Sequence, residues 1–135
     1  MDLSTEILKP MQLNEGDEVF RVVRLRFNNN VTLALHTVYL NGRYCQNILG
    51  YNLSQDSLFN LLTTVYGLKL TRAQEYVYAT LANSQELKLL SLSYPAAVLK
   101  SERTTYLENG DVIEYSLATY CSDSYKIVVN LDAQE

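Results

Sequence analysis

The sequence has no tryptophan, one histidine, two cysteines, two prolines and five glycines in 135 residues. So little proline and glycine excludes collagen-like chains and Pro-rich linkers. A 19% charged fraction beside 47% apolar residues excludes a disordered chain. The length suits one domain of roughly 100 to 200 residues that folds throughout. Cys45 and Cys121 are isolated, without C-x-x-C spacing, and are read as reduced packing residues. With His36 as the lone histidine, a zinc site or a Cys/His catalytic pair lacks material, so neither a metal nor a cofactor is expected. No apolar run approaches the ~18 residues that span a bilayer. Met1 to Lys9 carries acids where a secretory signal would be basic, so the expected location is the cytoplasm, away from membranes.

Positive charge is also scarce. Eleven Lys and Arg against fifteen Asp and Glu leave a net charge of −4, which suits this chain poorly to gripping duplex DNA by itself. The local basic cluster is Arg21, Arg24 and Arg26. Such a cluster can hold one small anion but cannot track a polyanion backbone, so a small anionic metabolite is the expected partner.

What is abundant is strand pattern. Val19 to Phe27 alternates up to the turn-forming Asn28-Asn29-Asn30, and Val31 to Leu40 reads as the return arm of a hairpin. From Ser54 the period changes: Leu58, Leu61, Leu62 and Val65 mark an amphipathic helix that Ser54 or Asp56 can cap and Gly67 can end. Ala73 to Leu81 suits a middle strand, and Asn83 to Glu86 opens a short capped helix that ends before Pro95. Ala96 to Leu107 and Val112 to Cys121 flank Asn109-Gly110, the dipeptide best suited to a type I′ turn, which would set Thr105 opposite Glu114 and Arg103 opposite Ser116. A last strand is expected over Ser124 to Leu131, with Tyr125, Ile127, Val129 and Leu131 on one face. The class is α+β, with an antiparallel sheet of about six strands and two or more short helices.

Gly16-Asp17, Val23-Arg24-Leu25-Arg26, Tyr39-Leu40, Ser57-Leu58, Tyr66-Gly67, Glu102 to Tyr106, Val112 to Ser116, Tyr120 and Asp123-Ser124-Tyr125 recur in an order that resembles the UTRA domain, from about Leu13 to Leu131. That domain is the effector-binding half of GntR-type repressors of the HutC subfamily. The resemblance implies a chorismate-lyase-like fold that binds a small metabolite, a sugar phosphate or organic acid, and forms a homodimer. It implies too that operator DNA is held only by a separate N-terminal winged helix, which these residues do not contain. His36 stands where the family usually has an acid, and Cys121-Ser122 where it often has Arg-Gly, so no particular effector carries over.

Arg24 and Arg26 are two apart on one strand, with Cα atoms about 7 Å apart, and their guanidinium forks can converge on one phosphate or carboxylate. The family holds its effector's acid group at this Arg-x-Arg; without it, the pair would be a solvated sheet face. Glu114, Ser116 and Tyr120 form one row that can accept from and donate to sugar hydroxyls. An ion pair with Arg103 would explain Glu114 equally well. Tyr76 and Tyr78 share a face and, by resemblance, contact the effector, with packing as the rival reading. His36 is a further candidate, against a purely structural role. Three functions follow: a sensor, a chorismate-lyase-like enzyme, and a dimerisation module without ligand. The sensor, which is not an enzyme, is the expectation.

Overall fold

The computed structural model describes residues 4–53, 58–122 and 126–133. Its centre is an antiparallel sheet of β1 (Val19–Asn28), β2 (Val31–Asn41), β3 (Leu70–Leu81), β4 (Ala97–Leu107) and β5 (Val112–Cys121), in the spatial order β1-β2-β5-β4-β3. Helices are few and short: α1 (Thr5–Leu8), α2 (Leu58–Asn60), which runs into a π turn (Leu61–Val65), and α3 (Ser84–Leu89). The α+β class is as expected. β5 enters between the β1–β2 and β3–β4 pairs, so β3 lies at the edge of the sheet and not in its middle.

The type I′ geometry forms at the first hairpin. Asn29 and Asn30, with φ of 50° and 67°, join paired Asn28 and Val31, and asparagine tolerates this region better than most residues. At Asn109-Gly110 only the glycine has positive φ, at 92°. Gly110 N–H donates to Leu107 at 3.0 Å and Leu107 N–H to Asp111 at 2.8 Å, so the loop holds one residue more than a type I′ turn allows. A bulge between Thr105 and Tyr106 absorbs the extra residue and restores the expected pairs Thr105–Glu114 and Arg103–Ser116.

The sixth strand is a correction. Residues 126–133 form no strand, and Ile127, Val129 and Leu131 are exposed. β5 already has β2 and β4 on its two sides, so the segment that follows it finds no free ladder there. Tyr125, like the helix caps Ser54 and Asp56, lies outside the described residues.

Buried clusters cover both faces of the sheet. On one face Val38, Leu40, Leu107 and Ile113 pack with Leu58 and Leu62 of the α2 segment. Val65, expected on this apolar side, is 51% exposed, because the wider π turn rotates it away from the line of Leu58 and Leu62. On the other face Met11, Tyr39, Val112 and Tyr115 form one cluster, and Leu90, Val98 and Cys121 form another beside α3. A capping box holds α3: the Asn83 side chain accepts from Glu86 N–H at 2.8 Å, and Glu86 Oε1 accepts from Asn83 N–H at 2.9 Å. The remaining Glu86 oxygen accepts from Lys100 Nζ and from Thr119 Oγ1, fastening the helix to β4 and β5.

Candidate functional site

The register lines the α2 face of the sheet with successive cross-strand rows. One contains Leu40, Glu114 and Thr105, the next Val38, Ser116 and Arg103. Beyond them lie a row of Arg24, His36, Ala118 and Ser101 and a row of Arg26, Ala34, Tyr120 and Leu99. The helix covers the first rows through Leu58 and Leu62. Past it, Ala34, Ala118, Ser116 and Ser101 form a floor of small buried side chains. The longer polar side chains of Arg24, Arg26 and Arg103 belong to the same rows.

Arg24 is half-buried. It donates from one terminal nitrogen to the Leu53 carbonyl at 3.1 Å and lies 3.4 Å from His36 Nδ1 with the other. Among the described residues its Nε is buried without a partner, as is that of Arg103. An unpaired buried donor costs about 1 to 3 kcal/mol, so each is a place where an acceptor would be held tightly. Burial and the neighbouring Arg26 both push the Arg24 guanidinium below its usual range. Arg26 itself is exposed at the rim.

Arg103 sits diagonal to Glu114, as the hairpin register required, yet no ion pair joins them among the described residues. Its guanidinium lies over the Phe59 ring, 4.8 Å from the centroid. Glu114 is buried and accepts from Thr105 Oγ1 at 3.0 Å. Burial raises its pKa, and the Thr105 hydrogen bond, Arg103 and Arg24 oppose that rise without cancelling it. Ser101 donates to Glu75 Oε1 at 2.5 Å.

Arg24, Arg26, His36, Glu114, Ser116 and Tyr120 are thus brought to one face. Tyr76 and Tyr78 are not: they alternate with Glu75 and Val77, which place them on the opposite face, and they are 60% and 44% exposed there. Arg103 belongs with the first group, a role beyond that of a partner for Glu114. The hairpin register already set it beside Glu114 and Ser116. Ala34 and Ala118 were legible only as small residues interrupting large ones.

His36 is pushed down to about 4, first by burial and then by Arg24, Arg26 and Arg103. Between that value and the ordinary 6.5 the unfolded chain takes up a proton that the folded chain refuses. Stability contributed by neutral His36 is therefore complete above that window and lost as pH falls through it. His36→Gln should flatten the acid limb by roughly 1 to 2 kcal/mol, a figure reduced because the ring is partly solvated. Glu114 titrates in the opposite sense, so the readout is the difference between wild type and variant in Tm from pH 4 to 7. Parallel curves would show that His36 is not held neutral.

The fold is that of the regulatory domains of GntR-type transcription factors. It superposes on the effector domain of PhnF from Mycobacterium smegmatis with a TM-score of 0.88 at 17% identity, over 98% of this chain and 82% of that one. It superposes equally on the C-terminal domain of the histidine utilization repressor from Pseudomonas syringae pv. tomato str. DC3000, with a TM-score of 0.88 at 18% identity over 98% and 92%. Residues 1–126 match the UTRA domain, and the chain belongs to that family. It is 23% identical over 132 residues to the HTH-type transcriptional repressor NagR of Bacillus subtilis (strain 168), covering 98% of this chain and 54% of that protein. To the mannosyl-D-glycerate transport/metabolism system repressor MngR of Escherichia coli (strain K12) it is 22% identical over 119 residues, covering 88% and 49%. The chain spans about half the length of these curated relatives.

Proposed function

We propose that this chain is the effector-binding and dimerisation unit of a GntR-type regulator of the HutC subfamily. It takes a small anionic metabolite, best a sugar phosphate, on the Arg24 face and passes the event to an attached winged helix that holds DNA. The observation that carries this reading is the pair of unpartnered, buried Nε donors of Arg24 and Arg103 beside a floor of small side chains. Arg24 and Arg103, with Arg26 at the rim, take the phosphate or carboxylate. Glu114, Ser116 and Tyr120 lie on the side from which hydroxyl or amino groups of the same ligand can be read. NagR and MngR are both named as repressors, which favours a sensor over a chorismate-lyase-like enzyme. Binding acts on DNA only so far as the effector prefers one of two conformations of the whole regulator.

The test is a thermal-shift screen of hexose phosphates, neutral hexoses, inorganic phosphate and small organic acids, with calorimetry on hits. Anionic sugars should raise Tm where their neutral counterparts do not; equal binding of neutral sugars would remove the anion from the proposal. Glu114→Gln keeps the shape but not the charge. It should change which hydroxyl or amino substituent is preferred and leave the requirement for an acid group intact.

A further inference from the structure

His36 stands in the middle of the Arg24 face among cations. Its strand β2 runs between β1 and β5, so Arg24 lies on one side of it and Ala118 on the other. Arg26 occupies the next row on β1, and Arg103 the preceding row on β4. Tyr120, on β5, is one row on; Glu114, on the same strand, is two rows back. Glu75 of β3 lies opposite Arg103 and accepts from Ser101. The segment that covers the sheet brings the Leu53 carbonyl to Arg24 and Phe59 to Arg103, and neither is charged. Among the described residues, then, three guanidinium groups act on the ring and no carboxylate stands in its row.

The contact with Arg24 fixes where the ring carries its proton. A guanidinium has donors only, so His36 Nδ1, 3.4 Å from an Arg24 terminal nitrogen, is the acceptor and the proton of the neutral ring sits on Nε2. A protonated ring would turn an N–H toward those of Arg24, so the second proton and the Arg24 contact exclude each other. An anion removes that conflict. Its oxygens can accept from the unpartnered Nε of Arg24 and from the terminal nitrogen that now meets His36. Nδ1 is then free to take a proton and donate it to the same anion. We infer that the effector's acid group enters between Arg24 and His36, and that His36 takes up one proton from water as it does so. Anion and proton each strengthen the binding of the other by the same factor, so the site holds its effector more tightly in acid. The inference rests on the anion site proposed above and adds how that site is regulated.

The chain has one histidine, so 1H–15N NMR correlations of the imidazole in untagged protein read this ring alone, apart from any proton that Glu114 gains. The probes are inorganic sulfate and glucose 6-sulfate, whose charge is constant over the range in which His36 titrates. Sodium chloride at matched ionic strength is the control. Without a probe the ring should be the Nε2–H tautomer at pH 7 and titrate near 4. An anion offsets the three guanidinium charges but not the burial, so a saturating probe should raise the midpoint by about one to two units. Affinity measured by calorimetry should then rise roughly two- to tenfold from pH 7 to pH 5. His36→Gln should still bind and lose most of that gain. A bound probe with an unmoved or lowered midpoint overturns the inference and leaves the anion site standing. So does a free ring that carries its proton on Nδ1 or titrates at the ordinary 6.5, or a His36→Gln variant that keeps the whole gain. Failure of both probes to bind at any pH overturns the inference and the anion site together.

Discussion

Arg24→Ala should weaken binding of an anionic effector roughly 30- to 1,000-fold, the equivalent of about 2 to 4 kcal/mol for one lost charge-assisted contact in a partly dry site. Arg103→Ala should fall in the same range, because its Nε is equally buried and equally unpartnered. Arg26→Ala should cost less, under about 1 kcal/mol, since an exposed rim charge acts through solvent. Spacing alone had made Arg24 and Arg26 equivalent; burial separates them. Stability should barely follow affinity. Arg24→Ala gives up the bond to the Leu53 carbonyl, worth about 1 kcal/mol, and the long contact to His36, and with them a desolvated charge and an unsatisfied donor. Arg24→Lys should not restore affinity, because an ammonium lacks the planar fork. Calorimetry on the best hit from the ligand screen, beside urea unfolding of each variant, separates the two effects. Unchanged affinity in both Arg24→Ala and Arg103→Ala would place the anion elsewhere.

Leu62→Ala should be the most damaging change to the fold, at about 2 to 5 kcal/mol. Leu62 is fully buried against the cluster of Val38, Leu40, Leu58 and Ile113, and the short helix that carries it has little other hold on the sheet. At a rough 4 °C per kcal/mol for a domain of this size, Tm should fall by at least about 8 °C. Effector affinity should drop too, because the same segment carries Phe59, on which Arg103 rests. Val65→Ala provides the contrast: its side chain faces water, so its effect should stay within about 0.5 kcal/mol. Urea unfolding of the two variants decides the matter. Equal, small losses would mean that the α2 segment is not fastened through Leu62.

The strands that hold the site could be read from the sequence because each is a local pattern. Alternation in β1 and β2, the asparagines between them, and the Asn83 and Glu86 capping box depend on residues a few positions apart. Such signals need no knowledge of the rest of the chain. The β4–β5 register was also legible, though by another route. The type I′ turn does not form at Asn109-Gly110, and the bulge at Thr105/Tyr106 returns Arg103 and Glu114 to the same face. A turn and a bulge that each shift register by one residue cancel, and only their sum acts on side-chain direction.

By itself, then, the sequence determined the class of fold, the run of the five strands and the spacing that sets Arg24 with Arg26 and Glu114 with Ser116. Strand order was decided by the tertiary structure alone, since it depends on which pairs dock on β5 and no local pattern records that. From that order follows the edge position of β3, and from the strand registers the removal of Tyr76 and Tyr78 to the far face and the placing of Arg24 and Arg103 on one face across strands distant in the chain. The last segment fails to join its own sheet for the same reason. Alternation makes a chain able to pair, but a strand forms only where a neighbour has a ladder free to receive it.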